Sequence, residues 1–204
     1  MKRILIFLLM ILICSSSEAA IIEKNSTVAV MDMGTHKGTS DPDFNLLNAE
    51  KSSSEYIIQR LVERKYFTVK DKDIVQDKLT DEKLNTTGLI DPDIAKRIGE
   101  ILDVDYIIYG NVVNVGLAET AEAMVRVRTV KANLIIRVMD VKTGRILMTV
   151  KGEGNSKSAS VLEDTKFIMI GTIKVSQMSV HNALQKAAFQ AVDILMDRLY
   201  GKKQ

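Results

Sequence analysis

Apolar residues occupy both phases of the strand period from Thr27 to Met33, TVAVMDM, which predicts a central strand covered on both faces. The Gly-, Ser- and Asp-rich stretch from Gly34 to Asp43 breaks that pattern and reads as a loop. From Phe44 the spacing becomes helical, with Leu47, Ser54, Ile58, Leu61 and Val62 on one stripe, and Ser52 and Glu55 stand at capping-box spacing that would permit a later start. Tyr66 to Lys70 is a second short strand. Asp91-Pro92 opens another helix, because the carboxylate accepts an orphan N–H bond and proline at the first helical position lacks one to orphan; Ile94, Ile98, Ile101 and Leu102 then form its apolar stripe.

Asp105 to Val115, DYIIYGNVVNV, is the next clear strand. Val125 to Val141 also has strand character, but its apolar phase switches: Val125 and Val127 point one way, and Val130, Ala132, Leu134, Ile136 and Val138 the other, which predicts a bulge near Thr129. Val141 to Arg145 is a hairpin turn with Gly144 in its left-handed position, and Ile146 to Val150 is the returning strand. Lys151 to Asp164 is small and polar, Phe167 to Val175 reads as one more strand, and a long amphipathic helix runs from Ser176 or Ser179 to Tyr200. Its buried face is Val180, Leu184, Ala187, Ala188, Ala191, Val192, Leu195 and Leu199, with Gly201 as the stop. The order β-α-β-α-β-β-β-β-α predicts a single α/β domain, a mixed sheet flanked by helices.

The chain begins differently from the rest. Lys2 and Arg3 precede ten apolar residues, Ile4 to Ile13, and Ser17-Glu18-Ala19 forms a small-x-small ending, so residues 1–19 read as a secretory signal peptide and 20–204 as the domain. Ten apolar residues fall short of the roughly 20 a spanning helix needs. Removal of Lys2, Arg3 and Glu18 leaves 28 − 2 = 26 basic and 26 − 1 = 25 acidic residues, a charge of +1 that makes no electrostatic case for nucleic acid. Cys14, the only cysteine, lies in the segment removed, so the exported chain has no disulfide of its own. With 46% hydrophobic and 5% aromatic residues and no Trp, the core is predicted to be aliphatic, with no aromatic platform for bases or sugars.

Candidate chemistry is sparse. GTHKGTS after the first strand lacks the Gly-Lys-Ser/Thr ending of a phosphate loop, and Asp41-Pro42-Asp43-Phe44-Asn45 has Leu46 and Ser52 where a calcium loop needs Gly and Glu. Asp71/Asp73 and Asp103/Asp105 flank predicted turns as solvated acids. His36 and His181 are the only histidines, so no zinc site and no Cys/His nucleophile can be assembled. The sequence therefore predicts no catalytic residue, no cofactor and no metal, and a non-enzymatic protein. For an interaction surface the best position is the loop after the first strand, with Gly34, His36, Lys37, Asp41 and Asp43, because recognition is usually placed on loops carried by a rigid scaffold.

Four segments taken in order resemble the curli production assembly/transport (CsgG/HfaB) family: VAVMDM, IGEILDVDYIIYGNV, the strand-turn-strand LIIRVMDVKTGRIL with Thr143-Gly144, and the closing helix SVHNALQKAAFQAVDILMDRLY. The segment VDYIIYG by itself is also similar to TolB N-terminal and LpoB-type domains. The resemblance implies an exported periplasmic α/β protein, outer-membrane-associated in the family's manner, that works in assembly or transport of curli-like or other surface polypeptides. It further implies envelope or secreted proteins as partners and a homo-oligomeric ring. The alternative it leaves is a periplasmic binding or regulatory module acting on another envelope protein. Two departures qualify the implied membrane hairpins and lipid anchor. Val115 to Lys131 carries Arg126 and Arg128 at alternate positions and the leg NSKSASVL is small and polar, which predicts peripheral membrane contact at most; Ile13 before Cys14 fits a lipidation signal poorly.

Overall fold

The structure is a computed structural model that describes residues 22–35, 48–82, 91–122, 125–161 and 177–200. The expected signal peptide, the expected strand at Phe167–Val175 and the Gly201 stop lie outside the described residues. Among the described residues six strands and four helices follow in the order β1 (Thr27–Val30), β2 (Gly34–Thr35), α1 (Ala49–Arg64), β3 (Thr68–Val69), α2 (Lys72–Asp81), α3 (Pro92–Leu102), β4 (Tyr106–Glu122), β5 (Val125–Asp140), β6 (Ile146–Val161) and α4 (Gln177–Tyr200). They form one mixed sheet of order β3-β1-β4-β5-β6, with β2 paired to β4. β1 runs parallel to both neighbours, whereas β4, β5 and β6 are antiparallel.

As predicted for a strand covered on both faces, β1 separates two apolar layers. On one side Val28, Val30, Ile108, Val112, Leu134 and Ile136 pack against α1 and α4. On the other, Ala29, Met31, Ile107 and Met139 meet Val75 and Leu79 of α2 and Ala95, Ile98 and Leu102 of α3. The closing helix buries its predicted face almost residue for residue, and Leu199 packs at the margin. α4 lies so close to β6 that a Cβ at Gly152 or Gly154 would run into the Ala187 or Ala183 carbonyl.

Several expectations are corrected. α1 begins at Ala49 after Asn48, whose φ of 67° is left-handed and whose side chain makes no capping bond. Its buried stripe is Ala49, Ser53, Ile57 and Leu61 with Ser54, so Val62 is turned outward and 55% exposed. α3 starts at Asp91-Pro92 as predicted, the Asp91 carboxylate accepting the Asp93 N–H at 2.9 Å, but it buries Ala95 and Gly99 and leaves Ile94 exposed. Asp71 and Asp73 do not flank a turn: Asp71 caps α2, a helix the sequence pattern missed because only Val75 and Leu79 carry its apolar face. The bulge is not at Thr129, which pairs regularly with Ala118 and Lys157. The shifts sit on the neighbours of β5, at Val113 of β4 and Leu147 of β6, and Val127 lies on the opposite face from Val130 by the ordinary alternation of an unbroken strand. The returning strand, read as ending at Val150, continues through the small and polar residues that follow as far as Val161.

The hairpin turn follows the sequence. Gly144 has φ of 70°, its N–H donates to Asp140 O at 2.8 Å, and the Asp140 carboxylate accepts the Thr143 N–H at 2.9 Å.

Candidate interaction site

The chain leaves β1 on one side through α1 to β3 and returns on the other through α2 and α3 to β4, so β1 is where the strand order reverses. Open α/β sheets place ligand loops outside the carboxyl end of such a strand. The predicted interaction loop follows that end. Of its named residues, Gly34 is buried in β2, paired with Asn111 of β4, and is thus a strand residue and not a contact residue. His36, Lys37, Asp41 and Asp43 lie outside the described residues. Both roots of the loop are tied down: the Thr35 hydroxyl donates to the Glu50 carboxylate, the Met33 N–H reaches Glu50 O at 3.4 Å, and the Ser52 N–H reaches Asn48 O at 2.8 Å.

Just past the carboxyl end of β1 lies a polar tie that no local motif announces. Lys72 Nζ sits 2.9 Å from Asp32 Oδ1 and 3.0 Å from Glu55 Oε1, and donates to Ser54 Oγ at 2.6 Å and Lys51 O at 3.3 Å. One ammonium thereby joins the end of β1, the second turn of α1 and the start of α2. The Ser54–Lys72 pair has the outward form of a nucleophile and its base. Ser54 is fully buried, however, and its hydroxyl donates to Asp32 Oδ1 and to Lys51 O, both at 2.8 Å. Among the described residues no group of three or more His, Cys, Asp or Glu side chains could hold a metal ion. The spread of these four residues over Asp32 to Lys72 explains why sequence spacing did not find them.

A second tie fixes the two helices of the other face. Arg60 forks onto Asp193, Nε to Oδ1 and Nη2 to Oδ2 both at 2.8 Å, while its guanidinium lies 5.2 Å from the Phe189 ring and Arg64 Nε adds a 2.8 Å bond. Burial pushes the Asp193 carboxyl up, but the Arg60 and Arg64 hydrogen bonds outweigh it and hold the group below the ordinary carboxylate range. The same contacts raise the Arg60 guanidinium.

The largest exposed construction is a ribbon. Past Val112, where the pairing of β4 with β2 ends, β4 and β5 stay paired from Asn114↔Asn133 to Glu122↔Val125, and β5 stays paired with β6 as far as Val125↔Val161. Arg128, whose alternate spacing with Arg126 made this zone look unsuited to a wall, shares its row with Glu119 and Ser158 and forms an ion pair with Glu119. Val127 shares the next row, on the opposite face, with Thr120. Alternation therefore segregates the described charge of Arg128 and Glu119 from the Val127 face. Among the described residues no strand pairs with β4 beyond Val112 on the side away from β5, and none pairs with the outer edge of β6. The lower part of that β6 edge is covered by α4: Arg198 donates to Thr149 O at 3.0 Å, Gln190 accepts the Glu153 N–H at 2.6 Å, and Lys186 donates to Asn155 O at 3.0 Å.

No helix among the described residues is long and apolar enough to cross a membrane. The family model "Curli production assembly/transport component CsgG" matches residues 17–203. No curated protein matches the chain significantly. Among solved structures, the chain is similar to the LpoB C-terminal domain from Salmonella enterica (17% identity, 67% of this chain and 87% of that one, TM-score 0.48). Lipoprotein GNA1162 from Neisseria meningitidis matches at 18% identity over 65% of this chain and 84% of that one, TM-score 0.47. The PelC dodecamer from Paraburkholderia phytofirmans matches at 10% identity over 84% and 92%, TM-score 0.41.

Proposed function

Because the chain belongs to the family of the curli production assembly/transport component CsgG, we propose that it is an exported, non-enzymatic envelope protein that acts in assembly or transport of surface or secreted polypeptides as a ring of identical copies. The observation that carries this reading is the three-stranded ribbon with an edge at β4 and an edge at β6. Open strand edges are a liability that proteins cover or pair. Pairing the β4 edge of one copy with the β6 edge of the next is a head-to-tail contact, and a constant rotation closes such contacts into a ring. The nine β4–β5 pairs from Asn114 to Glu122 rise about 30 Å, the thickness of a bilayer's hydrocarbon core, so membrane contact in this reading comes through the ribbon tip.

Native mass spectrometry of the exported protein tests the ring: a single closed oligomer is expected, and a monomer in both buffer and mild detergent overturns it. Residues 1–19 are the export signal in this reading, and the mature chain begins at Ala20. Mass spectrometry of the N-terminus from fractionated envelopes checks that; a lipid-bearing Cys14 would refute it.

A second reading, a periplasmic regulatory module like TolB N-terminal or LpoB-type domains, draws on residues 36–47, whose flanks are tied down at Thr35–Glu50 and Asn48–Ser52. Here His36 and Lys37 are contact residues. Their replacement by Ala then weakens capture of a cell-wall synthase without lowering stability, and unchanged capture removes this reading.

A further inference from the structure

The base of the sheet has two lateral edges, one at β3 and one at β6, and they are unlike. Beside β3 runs an open groove of about 460 Å³ whose apolar floor is Ile58, Val62 and Val69 and whose rim carries Glu55, Asp71 and Asp73. Ile58 and Val62 are one helical turn apart on α1, and Val62 is 55% exposed. Lys72 at this rim is already held by Asp32 and Glu55, which leaves Asp71 and Asp73 against Lys70 alone. The edge at β6 has the opposite character: Lys142 and Arg145 are exposed there beside Ile146, which is 44% exposed and paired with Met139.

The two edges stand at one height. Val69 pairs with Val28, Val28 with Tyr106 and Tyr106 with Asp140, and the adjacent Met139 pairs with Ile146. Ile146 is therefore one row from the row of Val69, on the far side of the same sheet. In a ring whose axis runs along the strands, surfaces that meet must share a height and be complementary, since each copy presents both. An acidic apolar groove and a basic apolar corner meet that condition.

We infer that the groove beside β3 receives the Arg145–Ile146 corner of the next copy, Ile146 entering between Ile58 and Val62 and Arg145 facing Asp71 and Asp73. This inference rests on the ring reading and names its basal contact. It is distinct from ribbon pairing, which joins the copies above Val112.

Site-directed disulfide formation tests it in the full exported chain, in a Cys14→Ser background. Val62→Cys with Ile146→Cys, both at exposed positions, is expected to give on mild oxidation a ladder of covalent oligomers ending in a closed ring, while each single substitution gives dimers at most. An intact oligomer by native mass spectrometry with no ladder from the double variant overturns the basal contact and leaves the ring standing. A monomer overturns the ring reading and this contact together. Arg145→Glu should lower ladder yield about tenfold at low salt and Asp73→Arg should restore it; yield indifferent to both overturns the charge pairing.

Discussion

The base of the sheet and the ribbon that leaves it share β4, β5 and β6 yet are held by different means. In the base, Leu134 and Ile136 are fully buried under α4, and Gly152 and Gly154 let that helix approach until its carbonyls touch the strand. In the ribbon, among the described residues, Gly116 has only Asn114 side-chain atoms, 3.8 and 3.9 Å away, near the place a Cβ would take. Buried area stabilises the first region within one chain. The second is stabilised by ladder hydrogen bonds and cross-strand pairs such as Glu119–Arg128, which are worth a few tenths to about 1 kcal/mol each. The fold is thus secured by burial at its base and by ladder bonds and cross-strand pairs along its projecting strands.

Matched substitutions break the comparison most sharply at the glycines. Gly154→Val forces β6 and α4 apart and is expected to cost about 3 kcal/mol or more in chemical denaturation. Gly116→Val meets ordinary van der Waals space in a strand that favours branched side chains and should stay within about 0.5 kcal/mol of wild type. Next in size, Leu134→Ala opens a cavity in the base and should lower stability by about 2–5 kcal/mol. Val127→Ala in the ribbon should leave monomer unfolding nearly unchanged and lower oligomer yield instead, which separates folding from assembly in one pair of variants.

The Arg60–Asp193 fork gives a smaller effect, about 1 kcal/mol for a partly exposed pair, and a pH signature. Because the folded-state Asp193 carboxyl lies below its ordinary value, its contribution is fully present above about pH 4 and is lost as pH falls through the folded value. The stability difference between wild type and Asp193→Asn should therefore shrink below about pH 4; a difference constant down to pH 2 would show that the fork contributes no charge effect. Smallest of all is Ser53→Ala. Among the described residues Ser53 Oγ is the buried side-chain polar atom with no hydrogen-bond partner. Exchanging its hydroxyl for hydrogen should be neutral or stabilising by up to about 1 kcal/mol by calorimetry.

The same contrast governs what the sequence made legible. α4 was readable because a 24-residue helix buries its apolar stripe along its length. The hairpin at Gly144 was readable because one backbone conformation needs one residue type. The β6 extension was not, since small residues there pack beneath a helix at Gly152 and Gly154 and beyond it need no apolar face at all. α2 was hidden by its two-residue contact with the core, and Val62 and Ile94 were placed inside because an apolar residue one position off the stripe looks the same in a linear pattern. For the candidate site, sequence pointed to the segment after β1 but not to the Asp32–Lys72 tie at the end of that strand, whose members come from three elements and meet only in the fold.

At the heel of the molecule, the Tyr66 hydroxyl donates to Ile22 O at 2.7 Å while its ring meets that of Tyr200 edge-on at 5.0 Å. The first and last described segments are thus pinned to one residue, at the end of the sheet opposite the ribbon tip. A short linker could join them, and the chain could be reopened at residues 123–124 without cutting through either apolar layer. Such a circular permutant would keep its base intact and carry both new ends on the tip. A fluorophore or an affinity handle placed there would report on the surroundings of the ribbon end, which no fusion at the heel can do.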